Sequence, residues 1–508
     1  MSQTKTAITN MLFLFLRMIV TMGISLYSSR IILEALGVVD YGIYNVIGGM
    51  VALISFLHYS LNGATIRFMN DAMASGEFDR LKLVFNTTFV IHIIIALIIV
   101  LLCETVGLWF FYNKLNIPPE RISAASFLYQ FSIASMVLNV IQIPYDSAII
   151  AHQKMKIIAY VSILESILKL LVAFLVLNAA FDHLIFYGFL LLIVSLIIRL
   201  IYQIYCRIFF KECRLNFILD NKLFKEISVF FGWDVLGNIS ALSRNQGISI
   251  LQNVFFGPLI NAAMGVANII SNSISAVVAN VSFALKPQIF QTYSKKDFNR
   301  SLFLVATGTR ISFFLLILGA IPFLLNTHFF LSFWLKEVPQ YSVEFTQLLL
   351  ISILIGTLFD YLTILINATG KIKLLSILGT IVYSSSVIIS YILLKIGYNL
   401  FTTSIIHVIV TIIMGLGVLF IANKLTPQFS ISYFTINVLL KNIIVFFIAG
   451  TICFFVRKFL LDINIFVSIG VELIIIISII FFIGLNKTEK NELKIMIQKF
   501  IPIKPKKI

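Results

Sequence analysis

The sequence predicts an all-α polytopic membrane protein with about 14 transmembrane helices. Composition, the spacing of the apolar runs and an internal repeat carry this prediction. Of the 508 residues, 60% are hydrophobic and only 12% are charged, and the mean hydropathy is +1.02. A soluble domain carries about 25% charged residues, so no soluble domain of ordinary composition is expected in this chain.

The apolar runs are separated by charged residues, Gly, Pro and Asn. Each run approaches the 20 or so residues that a helix needs to cross a hydrocarbon core of about 30 Å. The predicted spans begin near residues 8, 41, 83, 122, 157, 184, 226, 261, 302, 341, 374, 400, 436 and 463. The first span is too long for a signal-peptide core and has no small-residue cleavage site after it, so we expect the mature protein to keep it.

The distribution of Lys and Arg predicts the orientation of the chain. If the N-terminus is cytoplasmic, 26 of the 38 basic residues fall in inner segments, six in outer segments and six within spans. This bias follows the positive-inside rule and puts both termini in the cytoplasm. The net charge of +16 then reflects orientation in a bilayer, and no nucleic-acid partner is expected.

Neither a metal site nor an enzyme is predicted. The four Cys and six His are scattered, without CxxC or other ligand spacing. The longest segments between spans, about 207–225 and 326–340, are too short for a catalytic domain. We therefore expect a transporter without a resident cofactor, in which Na⁺ or H⁺ coupling is the open alternative.

Loop residues repeat along the chain at a nearly constant offset. The stretch ASGEFDRLKLVFNTT at 74–88 matches SKKDFNRSLFLVATG at 294–308, 220 residues later, and Gly37 aligns with Gly257. AHQKMK at 151–156 matches ATGKIK at 368–373 at the slightly shorter offset of 217 residues. An even number of spans separates the copies, so they share one orientation and are related by a pseudo-two-fold axis along the membrane normal. The predicted domains are an N-lobe at 1–215, a C-lobe at 216–425, and a C-terminal helix pair with a basic tail at 426–508.

Spans 2, 7 and 8 carry small and polar residues at helical spacing. Lipid-facing surfaces are bulky and apolar, so these faces are expected to meet protein or water. Helix packing alone would explain them, but the repetition of amides in equivalent spans favours a polar cavity. The candidate cavity residues are Asn45, Ser55 and Asn62 in span 2, Asp234, Asn238 and Asn245 in span 7, and Asn268 and Asn272 in span 8.

Charged residues within the spans are the other candidates. Arg17 lies near mid-span, and Arg244 and Arg310 have no nearby acid on their own helices. A guanidinium suits phosphate because its planar fork donates two parallel hydrogen bonds, although Arg17 could instead snorkel or pair with Asp234. Glu165 and Lys169 have the i, i+4 spacing of an intrahelical ion pair. With Asp360 in the tenth span, these two form the candidate ion-coupling set.

The chain resembles the polysaccharide flippase branch of the multidrug/oligosaccharidyl-lipid/polysaccharide (MOP) exporter superfamily. The resemblance rests on SSRIILEALGVVDYGIYNVIGGM at 28–50, RFMNDAMASGEFDR at 67–80 and ATGKIK at 368–373. It implies a bacterial cytoplasmic (inner) membrane protein of the O-antigen or capsule type. Such a protein moves undecaprenyl-diphosphate-linked oligosaccharide repeat units to the outer leaflet by alternating access and works beside the polysaccharide polymerase machinery. Arg17, Arg244 and Arg310 would then contact the diphosphate.

Two other functions within the superfamily remain open. A lipid-linked peptidoglycan-precursor flippase would have the same lobes, a cationic cavity and 14 spans. A cation-coupled multidrug antiporter usually has 12 spans and uses buried acids in its first lobe. Spans 1 and 2 of this chain have no interior carboxylate, so an anionic cargo is favoured over a cationic drug.

Overall fold

A computed structural model of the chain describes residues 3–55, 57–74, 76–152, 154–216, 220–459 and 464–485. The side chains of residues 3–19, 49–55, 57–61, 63, 64, 67, 74, 155, 230–245, 277, 280, 283, 284 and 287 lie outside this description. Throughout the described residues the regular structure is helical.

Among the described residues, seven α-helices precede residue 216. They are α1 Gln3–Ser55, α2 Leu57–Ala74, α3 Phe78–Leu102, α4 Leu108–Lys114, α5 Ile122–Ala151, α6 Met155–Leu177 and α7 His183–Phe209. A π-helical turn, Cys103–Gly107, joins α3 to α4, and the 3₁₀ turns Pro119–Arg121 and Lys211–Cys213 precede α5 and follow α7. Gly37, with φ 71° and ψ 171°, breaks the helical geometry inside α1, so that α1 supplies the predicted first span and the start of the second.

From residue 220 to the last described residue, Leu485, eleven α-helices follow. They are α8 Asn221–Phe256, α9 Pro258–Ser294, α10 Phe298–Leu325, α11 Thr327–Trp334, α12 Ser342–Thr357, α13 Asp360–Ala368, α14 Lys373–Lys395, α15 Thr402–Leu425, α16 Ile431–Phe434, α17 Lys441–Phe459 and α18 Ile465–Ile479. The π-helical segment Thr435–Leu440 connects α16 to α17, and Ile480–Gly484 continues α18.

The all-helical membrane fold is confirmed, whereas the count of 14 spans is not. Every predicted span has a helical counterpart, but among the described residues 11 helices are long and apolar enough to cross a membrane. A twelfth is obtained when α12 and α13, which are bent by 40°, count as one span. The long helix α8 is not among the 11, and it carries several of the polar residues singled out above.

Backbone conformation repeats at the offset found in the sequence. Gly257, which ends α8, has φ 80° and ψ −175°, close to the angles of Gly37. Gly76 and Lys296 stand 220 residues apart, and both have positive φ, 72° and 62°. Residues with a Cβ atom seldom adopt a positive φ, whereas glycine does so without strain. Lys296 therefore keeps in the second copy the turn that Gly76 makes in the first. This agreement supports an internal duplication.

Two side-chain contacts between the copies are equivalent to each other, with the roles of the copies exchanged. The segment before α5 contacts the end of α8, because the backbone N–H of Asn116 donates to Oδ1 of Asn253 at 2.9 Å. In the other direction, Lys336 forms an ion pair with Glu34 at the end of the first limb of α1. Adding 220 to 116 gives 336, and adding 220 to 34 gives 254, next to Asn253. Each copy therefore contacts the other through equivalent segments, as expected around a two-fold axis.

The chain divides into two compact units. The first comprises Met1–Ile269, Leu331–Phe345 and Gly379–His407, and the second comprises Ile270–Phe330, Thr346–Leu378 and Val408–Ile508. In the first unit α5 packs against α2, α3 and α7, and α1 packs against α6. In the second, α10 is the central helix and contacts α13, α17 and α18. The lobes 1–215 and 216–425 were defined from the sequence repeat, and that division remains a prediction.

Candidate functional site

The helices with polar faces come together inside the first unit. Both α1 and α2 contact α8, and α1 also meets the start of α9. A Cβ on Gly42 would lie 1.9 Å from the carbonyl oxygen of Pro258, so the two backbones touch at this point. Only glycine permits this approach of α1 to α9.

Asn45 lies one turn further along the same contact. Its side-chain Nδ2 donates to the carbonyl oxygen of Tyr41 at 2.7 Å, and a Cβ on Gly265 would stand 2.6 Å from that nitrogen. Asn45 and Gly265 are one repeat apart in the alignment of the copies, so the contact joins equivalent residues. The amide of Asn45 is half-buried and partly satisfied by its own helix.

Asn268 and Asn272 lie one helical turn apart on α9, and both are exposed. They belong to the apolar stretch Pro258–Ala276, which is long enough to span a bilayer. An asparagine facing acyl chains would leave amide groups unsatisfied, at a cost of several kcal/mol by order of magnitude. Their exposure favours a face of α9 that is in contact with water.

Asn62 holds a packing position. Its Oδ1 accepts a hydrogen bond of 2.9 Å from the hydroxyl of Ser147, which is fully buried on α5. The interaction joins α2 to α5 and uses the amide oxygen that a cargo hydroxyl would otherwise engage.

Six further candidates lie on helices whose side chains are outside the described part of the structure. They are Arg17, Ser55, Asp234, Asn238, Arg244 and Asn245. Their roles remain those predicted from the sequence.

Arg310 is 3% exposed and lies on α10, within the second unit. Its Nη1 donates to the backbone carbonyl oxygen of Asn437 at 3.4 Å. Asn437 belongs to the π-helical segment Thr435–Leu440, and such segments leave carbonyl groups without their usual helical partners. Arg310 thus joins the core of the second unit to the C-terminal helices.

The candidate ion-coupling residues lie apart. Nζ of Lys169 is 2.6 Å from Oε1 of Glu165, which gives the intrahelical ion pair that the spacing predicts. Two opposite charges in contact neutralise each other, and so neither is an isolated charge in the span. Asp360 is the exposed first residue of α13, next to the 40° bend after Thr357.

Several ionic groups were missed by the sequence-based prediction. Arg121 donates two hydrogen bonds to Asp40, at 2.7 and 2.5 Å, and two to Asp182, at 2.6 and 3.1 Å. Nε2 of His152 lies 3.1 Å from Oε1 of Glu212. These partners are far apart in sequence and follow no spacing rule, and hence no local pattern could have found them.

Glu472 was also missed, although a local signal existed. It is an acid within the apolar run VELIIII of α18, and it is fully buried. Among the described residues, no cluster of three or more His, Cys, Asp or Glu could hold a metal ion.

Comparison with known proteins identifies the fold. No family model and no curated protein matches the chain. The inward closed conformation of the lipid II flippase MurJ is similar at TM-score 0.70 and 14% identity, over 93% of this chain and 98% of that one. An inward-facing multidrug resistance MATE transporter of the MOP superfamily is similar at TM-score 0.64 and 12% identity, over 82% of this chain and 96% of that one. A MOP superfamily transporter from Pyrococcus furiosus gives TM-score 0.59 and 12% identity, over 84% and 96%.

The chain is a multi-pass membrane protein with the MATE-like fold of MOP superfamily transporters. TM-scores of 0.59 to 0.70 establish this architecture, and identities of only 11 to 14% leave the cargo open.

Proposed function

We propose that the protein is a flippase that moves undecaprenyl-diphosphate-linked oligosaccharide repeat units, of the O-antigen or capsule type, from the inner to the outer leaflet by alternating access. The likeness to a lipid II flippase over 93% of the chain carries the proposal, because it extends further than the 82% matched by the antiporter. The difference is comparable in length to the C-terminal helices α16 to α18. The bacterial cytoplasmic membrane, cytoplasmic termini and cooperation with a polysaccharide polymerase belong to the same proposal.

The chemistry of the proposed cargo matches the polar helices. Arg17 and Arg244 would bind the diphosphate, with Arg310 as a further candidate, because guanidinium keeps its charge at every physiological pH. The exposed amides of Asn268 and Asn272 offer both donors and acceptors for sugar hydroxyls. The membrane potential would also act on the charges of a cationic cavity, because moving one elementary charge through 100 mV changes the free energy by about 2.3 kcal/mol.

A lipid-linked peptidoglycan precursor is the second candidate cargo. Its support is the same likeness, since the similar protein is itself described as a lipid II flippase. Both cargoes present a diphosphate and a glycan, and consequently the residues that bind the headgroup would be the same. A cation-coupled multidrug antiporter is the third candidate and is supported by the likeness to MATE transporters.

A deletion strain distinguishes the three functions. For the proposed function we expect loss of surface glycan and accumulation of lipid-linked repeat units in the inner leaflet. Normal glycan export would exclude it. Rescue of a strain depleted of its peptidoglycan-precursor flippase would identify the second cargo, and drug hypersensitivity of the deletion strain would identify the antiporter.

Substitution of Arg17 tests the role of the cation predicted within the first span. Arg17→Ala is expected to abolish glycan export, and Arg17→Lys to restore it only in part, because an ammonium cannot form the two-bond fork. Arg80→Ala is the matched control, since Arg80 is an exposed guanidinium at the start of α3. Export by Arg17→Ala at the level of Arg80→Ala would remove the phosphate role.

A further inference from the structure

Glu472 is a carboxyl group buried in the last apolar helix. It lies on α18, within the span Ile465–Gly484, and has no exposed surface. Its position is about 12 Å along the helix from Asn464, at 1.5 Å per residue. An ionised carboxylate at such a site carries a desolvation penalty of several kcal/mol unless a cation and hydrogen bonds compensate it.

The polar neighbour of Glu472 is a buried amide. Nδ2 of Asn326 lies 3.4 and 3.3 Å from the two carboxyl oxygens and also donates to the carbonyl oxygen of Pro322 at 2.9 Å. Asn326 is 2% exposed, at the end of α10. Its Oδ1 is buried and accepts no hydrogen bond from any described residue.

The basic residues on the neighbouring helices do not form an ion pair with Glu472 within the described part of the chain. Arg457 lies in the last turn of α17 and acts on Glu472 electrostatically without a salt bridge. Lys458 is exposed, and Lys441 is at the opposite end of α17. Arg310 is 16 residues from Asn326 on α10, about 24 Å along the helix, and His328 lies on α11.

This environment satisfies a neutral acid better than an anion. A protonated carboxyl has one O–H donor, and the unpartnered Oδ1 of Asn326 is an acceptor on the amide that already contacts the carboxyl. Nδ2 of Asn326 would then donate to the carboxyl C=O, so that acid and amide each donate one hydrogen bond to the other, while the second N–H of Nδ2 keeps its bond to Pro322. The ionised form would leave Oδ1 unpartnered among the described residues, and the negative charge would be offset by the amide N–H of Asn326 and by Arg457, which forms no salt bridge with it.

We propose that Glu472 and Asn326 form a proton-binding site that links α18 to α10. Proton release breaks the O–H bond of Glu472, the electron pair stays on the carboxylate, and a water molecule takes the proton. The buried carboxylate that remains favours a conformation in which the α10–α18 contact opens to water. Protonation therefore sets the position of the C-terminal helix pair.

A proton fits this site better than a metal cation. Hard cations such as Ca²⁺ and Mg²⁺ bind six or more oxygens, many of them carboxylate or carbonyl. The polar contacts of Glu472 among the described residues are with the amide of Asn326 and with the thiol of Cys453, whose Sγ lies 3.8 Å from the Glu472 carbonyl oxygen. The buried hydroxyl of Ser468, one turn earlier on α18, and the carbonyl of Pro322 on the Asn326 amide add two oxygens, which leaves the set with a single carboxylate. The site concerns energy coupling and does not depend on which cargo is transported.

Infrared difference spectroscopy on the purified full-length chain tests the proposal. Wild type at neutral pH is expected to show a protonated-carboxyl C=O band that shifts in D₂O, titrates away at alkaline pH and is missing from Glu472→Gln. Glu165→Gln is the matched control, because the Glu165 carboxyl forms an ion pair with Lys169 and its removal should leave the band unchanged. Loss of a carboxylate band in Glu472→Gln, with the acid band unaltered, would overturn the proposal.

Two further measurements keep the test decisive if Glu472→Gln folds poorly. Asn326→Ala is expected to shift the frequency of the C=O band, because the acid loses its hydrogen-bond partner, and an unshifted band would contradict the pairing. The C=O band is expected to be the same in sodium chloride as in choline chloride. If the band disappeared in sodium chloride and stayed in choline chloride, the site would bind sodium in place of a proton. Failure of glycan export has no bearing on either result.

Discussion

At the scale of single residues, backbone approach decides which side chains are tolerated. Gly42 and Gly23 both lie on α1, but a Cβ at position 42 would overlap the Pro258 carbonyl, and a Cβ at position 23 meets no atom within 4 Å. The pair therefore separates the helix propensity of glycine from its steric role.

Gly42→Ala is expected to separate α1 from α9 and to lower the thermal unfolding midpoint, because a backbone carbonyl cannot move aside as a side chain can. Gly23→Ala should be neutral or stabilising by up to about 1 kcal/mol, since alanine is the better helix former. Thermal unfolding of the detergent-purified chain measures both. Equal midpoints for the two variants would show that the α1–α9 contact does not need glycine.

His152 and Glu212 respond to pH as a pair. His152 is stacked on Phe210 with ring centroids 4.0 Å apart, and the hydrogen bond to Glu212 raises its pKa above the usual 6.5 against the opposing effects of burial and Lys154. Burial is the largest single effect on Glu212 and by itself would raise its pKa, but the hydrogen bond to His152, a backbone hydrogen bond and the charge of His152 together bring the pKa below 4.5. The raised pKa of His152 and the lowered pKa of Glu212 both favour the charged forms of the two residues.

The stability contributed by this pair should depend on pH with a defined sign. Because the folded pKa of His152 is raised, its contribution is complete below pH 6.5 and is lost as pH rises through that raised value. The lowered pKa of Glu212 gives a contribution that is present above pH 4.5 and is lost on further acidification. The wild type should therefore lose about 1 kcal/mol between pH 6 and 9.

His152→Gln is expected to remove this loss, and Glu212→Gln should remove most of it. Thermal unfolding midpoints across the pH range provide the measurement, with His183→Gln as a control histidine outside the pair. A wild-type slope that persists in His152→Gln would assign the pH dependence to other groups.

At the scale of elements, Arg121 connects three helices through ion pairs. It immediately precedes α5 and contacts Asp40 of α1 and Asp182, whose carboxyl also caps α7 by accepting from the N–H groups of Leu184 and Ile185. The three side chains are partly shielded from solvent. Without the guanidinium, two carboxylates would face each other.

Arg121→Gln should destabilise the chain by about 2 to 4 kcal/mol, because it leaves two unpaired acids. Arg121→Lys is expected to recover only part of this loss, and Asp40→Asn in the Arg121→Gln background should restore part of it by removing the repulsion. Unfolding midpoints of the wild type, these three variants and Asp40→Asn alone form the test. Additive effects of Asp40→Asn and Arg121→Gln would contradict a coupled network.

At the scale of the whole molecule, the orientation of the chain stays a prediction from its charge distribution. Lys114 and Lys154 are exposed and lie in segments predicted to face opposite sides of the membrane. The four native cysteines are buried and free. A cysteine introduced at either lysine is therefore a specific site for a membrane-impermeant maleimide.

Lys114→Cys is expected to react in intact spheroplasts, and Lys154→Cys only after permeabilisation. The wild-type chain is the control for labelling of native thiols. The reverse pattern would place both termini outside and invert the proposed direction of flipping.

Sequence alone predicted a helical membrane protein, which the structure confirms, and an internal duplication, which remains a prediction. Hydropathy and charge are properties of local composition, and loop residues such as Phe78 and Phe298 align without knowledge of the fold. It also predicted the Glu165–Lys169 pair, because residues four apart face each other on any α-helix.

Only the tertiary structure decided which polar residues meet across the chain. The contacts of Arg121 with Asp40, of His152 with Glu212 and of Glu472 with Asn326 join residues 60 to 146 positions apart. No periodicity encodes such separations, since they follow from how helices pack. Burial of Glu472 is likewise a property of its neighbours on α10 and α17, and the same acid on an isolated helix would face lipid or water.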